Sequence, residues 1–229
     1  MLAYSGFDVI KHESNPVARL LAAHARGVRV ILPEELVGKP AHAQLKAALG
    51  ADDTKPNHVV TCGARRGCIA TRQTSWSTGY LHTKFAAFSK VRMNDGTVVS
   101  DVVHMGSSNL GDWDAVEAYN DMFTFTDAKV HKAFRTYFTD LTRYRRTAAG
   151  NNFDNTPGKR DLQVHSKTIM IDGRYDDDTT PRVYTGSHNL AWSALRQGDE
   201  VLMRVTGGDA HDEYLRQFTK IHTTCKNRA

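Results

Sequence analysis

The chain contains the same short chemical pattern twice. Residues 82–84 read His-Thr-Lys and are followed by Gly-Ser-Ser-Asn-Leu at 106–110, while residues 165–167 read His-Ser-Lys and are followed by Gly-Ser-His-Asn-Leu at 186–190. An imidazole next to an ammonium group suits an anionic substrate, because the lysine neutralises a phosphate oxygen while the histidine attacks phosphorus or donates a proton. A single His-x-Lys triplet is weak evidence, since most belong to ordinary half-exposed strands. The repetition predicts two half-sites that face each other across one phosphodiester-cleaving site.

Each copy supplies the same candidate groups. His82 and Lys84 are two residues apart on a predicted strand, as are His165 and Lys167, so the members of each pair are expected on one face. The asparagine amides can donate to the remaining phosphate oxygens, and the serine hydroxyls can do so too or merely stabilise the turn. A helix cap is the structural alternative for both asparagines. The candidate phosphate-binding residues are Lys84, Ser107, Asn109, Lys167, Ser187 and Asn189.

Composition limits the partners that the chain can have. The formal net charge is +5, from 30 basic and 25 acidic residues, which favours phospholipid headgroups or nucleic acid. Because the charges are spread along the chain, an ordinary solvated surface is an equal alternative. No apolar run approaches the roughly 18–20 residues that span a bilayer, although contact with a membrane surface stays open. The first residues lack the basic start and long apolar stretch of a signal peptide.

The three cysteines are Cys62, Cys68 and Cys225. The first two flank a tight, glycine-containing loop that a disulfide could close, and such a bond would imply an oxidising compartment. A zinc site is a weaker alternative, because no second Cys or His pair has finger-like spacing. Cys225 is then left over.

The pattern of predicted elements indicates an α/β fold, a mixed sheet with helices on both faces. A strand, a helix and a second strand open the chain, which is typical of a parallel crossover. The Asn- and Gly-rich stretch 150–160 is the predicted linker between a first repeat at 1–149 and a second at 161–229. The second repeat begins almost at its motif, so we expect it to be shortened. Such a loss would leave an exposed sheet edge that invites dimerisation.

These motifs resemble those of the phospholipase D superfamily, the His-x-Lys-x4-Asp enzymes. The second copy matches fully through His165, Lys167 and Asp172, whereas Ser89 stands at the aspartate position of the first. Glu200 falls where that family has an acidic residue that orients the histidine of the opposite half. In the first half we place Asp121 at that acidic position.

The nearest-looking members are exported, two-motif actinobacterial-type proteins, so the resemblance implies secretion. In those proteins the second half normally opens with its own strand–helix–strand unit, and a cysteine lies in that region. That unit is expected to be absent here, through an internal deletion or an incomplete chain.

The resemblance also implies a two-step mechanism that needs neither metal nor cofactor. It assigns His82 as the nucleophile and His165 as the general acid, with the reverse order left open. The candidate catalytic residues are His82, Lys84, Asn109, His165, Lys167, Asp172, Asn189 and Glu200. A phospholipase D acting on phosphatidylcholine-type lipids is the first functional hypothesis. A nuclease of the same superfamily and an inactive, truncated phosphate-binding copy are the alternatives.

Overall fold

A computed structural model describes residues 1–9, 15–70, 79–146, 166–174 and 176–226, without the side chains of residues 192, 195, 196 and 224–226. The predicted linker, the expected site of the missing unit and His165 lie outside these residues. The side chain of Cys225 does so as well.

The strands form one large sheet and two small ones. The large sheet has the order β3-β2-β1-β5-β6-β7, a three-stranded sheet has the order β11-β9-β8, and a two-stranded sheet pairs β10 with β4. The strands, in chain order, are β1 (Leu2–Tyr4), β2 (Arg29–Leu32), β3 (His58–Thr61), β4 (Tyr80–Leu81), β5 (Lys84–Arg92), β6 (Val98–Gly106), β7 (Met122–Thr126), β8 (Ile169–Ile171), β9 (Arg182–Gly186), β10 (Gly198–Asp199) and β11 (Leu202–Thr206).

The described residues also contain six α-helices and two short 3-10 turns. They are α1 (Pro16–Ala22), α2 (Pro40–Leu49), α3 (Asp112–Val116), α4 (Ala128–Tyr144), α5 (Trp192–Gln197) and α6 (Gly208–Lys226), with 3-10 turns at His24–Arg26 and Glu34–Leu36. Helix α1 begins at Pro16 because the Oδ1 atom of Asn15 accepts a hydrogen bond from the backbone N–H of Val17 at 3.0 Å. The sequence favours Ser14 as this cap, but Asn15 fills the position.

The large sheet is covered on both faces, which confirms the predicted α/β class. Strands β1, β2 and β3 are parallel, as the crossover pattern predicts, while β5, β6 and β7 join antiparallel. Alternate residues along one strand enter different cores: Leu2 packs with residues of α1 and α2, whereas Ala3 packs with residues of α4. Two hydrophobic cores therefore hold the sheet that carries the first motif.

The second part of the chain is smaller and touches the first through a short strand pair. Helix α6 packs on the three-stranded sheet, and β10 pairs in parallel with β4, with Asp199 opposite Leu81. The prediction that His82 and Lys84 share one continuous strand is therefore wrong in one respect. The strand breaks at His82 and Thr83, because the residues before the break pair with the second part and those after it join the large sheet.

Candidate active site

His82 of the first part is bound by Glu200 of the second part. Its Nδ1 atom lies 2.9 Å from Oε1 and 3.1 Å from Oε2 of that carboxylate. The backbone N–H of His82 donates to the carbonyl oxygen of Asp199 at 3.2 Å, so backbone and side chain are held by neighbouring residues. With Nδ1–H donated to the carboxylate, the lone pair of a neutral ring lies on Nε2. Burial lowers the pKa of His82, and the hydrogen bond that its ring donates to Glu200 opposes that effect.

Lys84 begins β5 directly after this histidine. Its side chain is fully buried, and its Nζ atom donates to the carbonyl oxygen of His82 and to Oγ of Ser5, both at 2.7 Å. Burial lowers its pKa to about 7, with the positive charge of Lys167 acting in the same direction and the charge of Glu200 opposing it. A bound phosphate would favour the charged form, because an opposite charge nearby stabilises the ammonium.

Lys167 of the second motif shares this environment. It is 5% exposed, and burial lowers its pKa to about 8 while Glu200, Asp114 and Asp121 oppose that shift. The two lysines influence each other's charge, so the structure brings the first and second motifs together at this point. His165 lies outside the described residues, and its position stays a prediction.

Asn109 is held by polar contacts on two sides. Its Oδ1 atom accepts a hydrogen bond from Ser5 at 2.7 Å, and its backbone N–H donates to Oδ1 of Asp114 at 2.8 Å. Ser5 also accepts from Lys84, which links the asparagine to the lysine. Neither asparagine is a helix cap, because Gly111 precedes α3 and Ala191 precedes α5. Asn189 is half-buried in the loop before α5.

Ser107 and Ser187 are engaged with protein groups in this structure. Both are fully buried, and each hydroxyl is already engaged with the neighbouring strand. Ser107 donates to Oδ1 of Asn120 at 3.0 Å and accepts from the N–H of Asp121 at 2.9 Å. Ser187 donates to Oε2 of Glu200 at 2.5 Å and accepts from the N–H of Val201 at 2.8 Å. These hydroxyls stabilise the segment that carries the acidic position, which agrees with the structural alternative named for them.

These contacts also correct the alignment of the two halves. Gly106 pairs with Met122 and Gly186 pairs with Leu202, so the two strand pairs have the same register. In that register Asn120, not Asp121, occupies the position of Glu200. Equal spacing could have found it, because Glu200 lies 14 residues after Gly186 and residue 120 lies 14 after Gly106.

Asp121 contacts the second motif instead. Its Oδ2 atom accepts hydrogen bonds from the hydroxyl of Ser166 and, at 2.5 Å, from the hydroxyl of Thr168. These two residues flank Lys167. Each half thus sends a carboxylate to the His-x-Lys segment of the other: Glu200 reaches the first motif and Asp121 the second.

The two positions that lie seven residues after the histidines are outside the site. Asp172 is exposed one residue after β8, and Ser89 is exposed on β5. The candidate catalytic role of Asp172 is therefore not supported by its placement, because an exposed carboxylate at a strand end remains hydrated. Because position 89 is exposed on β5, the presence of serine there in place of an aspartate does not alter the contacts around His82.

Four residues that are not among the candidates named from the sequence contribute to the site: Ser5, Asp114, Asn120 and Asp199. Only Asn120 had a usable signal, the repeated 14-residue spacing. Ser5 follows strand β1 and Asp114 lies on helix α3, so strand pairing and the packing of a short helix bring them in, which a local pattern does not reveal.

Within the described ranges, no helix is long and apolar enough to cross a membrane. The same ranges contain no group of three or more His, Cys, Asp or Glu side chains placed to hold a metal ion. The disulfide between Cys62 and Cys68 is present, with the two Cα atoms 4.6 Å apart, which confirms the predicted pairing.

Comparison with known proteins identifies the family of the second motif. A family model described as "Cardiolipin synthase, PLD-like domain" matches residues 143–222, about a third of the chain. The matched stretch contains His165, Lys167, Asn189 and Glu200. No curated protein matches the chain. The family match and the second copy of its motif pattern in the first half support membership of the phospholipase D superfamily.

Proposed function

We propose that this protein is a metal-independent phospholipase D that hydrolyses phosphatidylcholine-type phospholipids through a phosphohistidine. The observation that carries the proposal is the imidazole of His82, bound at 2.9 Å by Glu200 and placed beside two buried lysines. A neutral imidazole with a carboxylate on Nδ1 is suited to nucleophilic attack through Nε2. Lys84 and Lys167 supply the positive charge that the phosphate oxygens need as negative charge develops.

The reaction follows from these groups in two steps. Nε2 of His82 attacks phosphorus, the P–N bond forms, and the bond to the leaving alcohol breaks as His165 gives that oxygen a proton. Glu200 stabilises the positive charge that develops on the ring of His82. Water then attacks phosphorus, gives its proton to His165 and releases His82. The role of His165 comes from its motif.

A lipid substrate is favoured over nucleic acid by two observations. The matching family model is named for a lipid-forming enzyme, cardiolipin synthase. Large apolar side chains also stand exposed near both asparagines, with Trp113 at 40% and Leu190 at 66% exposure. Such side chains suit contact with a membrane surface. Separately from the substrate, the Cys62–Cys68 disulfide supports an exported protein in an oxidising compartment.

One incubation tests the proposal. The protein is mixed, in EDTA, with phosphatidylcholine vesicles and single-stranded DNA, and the products are scored as free choline and as shortened DNA. We expect choline release that His82→Ala abolishes. Shortened DNA without choline would move the assignment to a nuclease, and neither product would favour an inactive, phosphate-binding copy.

A further inference from the structure

The loop closed by the disulfide lies directly against the residue that precedes Glu200. The carboxylate of Asp199 accepts hydrogen bonds from two backbone N–H groups that follow Cys68: Oδ1 from Ala70 at 2.7 Å and Oδ2 from Ile69 at 3.1 Å. Asp199 is only 5% exposed. A buried carboxylate is costly unless donors satisfy it, and these donors come from a loop in the other part of the chain.

The loop is shaped to receive this carboxylate. A Cβ atom on Gly67 would lie 2.6 Å from Oδ2 of Asp199 and 2.8 Å from the carbonyl oxygen of Tyr80, so only glycine fits there. The buried side chain of Arg66 donates to the carbonyl oxygens of Gly67 at 3.0 Å and Cys68 at 3.1 Å. The loop is therefore fixed by the disulfide, by this guanidinium and by close packing.

Asp199 connects the loop to the active site by its position in the chain. Its side chain binds the loop, its carbonyl oxygen accepts the N–H of His82 at 3.2 Å, and the next residue binds the ring of His82. A displacement of Asp199 would move the carboxylate of Glu200 with it.

We propose that Asp199 is a positioning residue, which docks on the disulfide-closed loop and thereby holds Glu200 against His82, so that opening the disulfide weakens the site. A reducing dithiol gives two electrons and two protons to the Cys62–Cys68 bond. The dithiol closes to its own disulfide, and Cys62 and Cys68 become thiols. Only the effect on turnover rests on the proposed function; the effect on His82 does not.

A double-variant cycle tests this coupling. Asp199→Ala, Cys62→Ser with Cys68→Ser, and the combination are compared by kcat and KM for phosphatidylcholine. We expect each change to lower kcat about tenfold with KM nearly unchanged, because a small displacement of a catalytic group is costly. We expect the combination to lower kcat no further, since both changes remove the same contact. Independent effects that multiply to about a hundredfold would overturn the proposal.

A second readout needs no turnover. The pKa of the His82 imidazole is followed by NMR, with its signal assigned by its loss in His82→Ala. We expect Asp199→Ala and the disulfide variant to shift this pKa in the direction that Glu200→Gln does, and Asp199→Asn, which keeps one acceptor oxygen, to shift it less. The exposed Asp177→Ala is the control and should shift nothing. An unchanged pKa of His82 in Asp199→Ala would overturn the proposal, even if the protein proved to have no phosphodiesterase activity.

Discussion

The strand pair β6–β7 of the first half and the strand pair β9–β11 of the second half have the same register but different chemistry. Each has a glycine packed against the neighbouring strand and a buried serine that bonds to the segment before that strand. The acceptor of the serine hydroxyl differs: it is the neutral amide of Asn120 in one half and the carboxylate of Glu200 in the other. The two strand pairs thus share their register and their serine hydrogen bonds, but only the second has a charged acceptor.

This inequality gives the two halves different capacities. Glu200 can stabilise a positive charge on the ring of His82, because a hydrogen bond to an ionised group is stronger than one to a neutral group. At the matching position Asn120 offers only an amide, and the neighbouring carboxylate of Asp121 contacts the hydroxyls of Ser166 and Thr168. The comparison favours His82 as the nucleophile, since that ring carries the positive charge in the intermediate.

The largest effect should come from removing His82. His82→Ala takes away the proposed nucleophile, so we expect choline release to fall by at least about 10³-fold. His104→Ala is the matched control, because His104 bonds to Thr124 on the sheet and not to the site. A His82→Ala variant that kept a tenth of the activity would refute the shared site.

Glu200 and Asn120 should differ in how much they contribute to kcat. Glu200→Gln keeps the shape and removes the charge, and we expect kcat to fall about 100-fold; Asn120→Ala should cost about tenfold. These values follow from net hydrogen-bond contributions of about 1.5–3 kcal/mol for charged groups and about 0.5–1.5 kcal/mol for neutral ones. Steady-state kinetics of the two variants measures the difference. Equal losses would show that the charge of Glu200 has no special role.

The two scaffold glycines should be equally intolerant of substitution. A Cβ atom at Gly106 would lie 2.0 Å from the carbonyl oxygen of Asp121, and one at Gly186 would lie 2.0 Å from that of Val201. Either alanine must push the strands apart, so we expect each to lower the free energy of unfolding by about 3 kcal/mol in urea titrations.

Gly173→Ala is the control for the glycine variants, since nothing lies within 4 Å of a Cβ atom there. If one of the two scaffold alanines were tolerated and the other were not, the strand pairs would not be equivalent.

Much of this scaffold was predictable from the sequence, because it depends on local patterns. The parallel crossover, the hairpin at Asp95 and Gly96, and Asp127 as the cap of α4 all follow from residue types at fixed spacing. The Cys62–Cys68 disulfide is also local, as the loop is short.

The contacts between the halves were not predictable in the same way. The break at His82 depends on the pairing of β4 with β10, whose residues lie 118 apart in the chain (198 − 80). For Asp121 the reason is different: residue type predicts a carboxylate at the acidic position, whereas the register places the amide of Asn120 there. Equal spacing identifies the position, but the type of residue at it differs between the two strand pairs.

The pH dependence should reflect the groups around His82. In the proposed mechanism the active form needs a neutral His82 and charged lysines. Burial holds the pKa of His82 below its usual value and lowers the pKa to about 7 for Lys84 and to about 8 for Lys167. We expect kcat/KM to rise as His82 loses its proton below pH 6.5 and to fall as the lysines lose theirs above about pH 7. A profile that stays flat to pH 9 would contradict the placement of the lysines.

The smallest difference should separate the two serines. Ser107→Ala and Ser187→Ala each remove a buried hydroxyl that bonds to both the acceptor side chain and a backbone N–H, so each should lower the free energy of unfolding by about 1–2 kcal/mol. Only Ser187 holds Glu200, at 2.5 Å, so Ser187→Ala should in addition lower kcat a few-fold, whereas Ser107→Ala should leave it nearly unchanged. Urea titrations and steady-state kinetics on the same preparations separate the two effects. A loss of kcat in Ser107→Ala as large as that in Ser187→Ala would mean that Asn120 has an equal role in turnover, and that the two halves differ in charge but not in function.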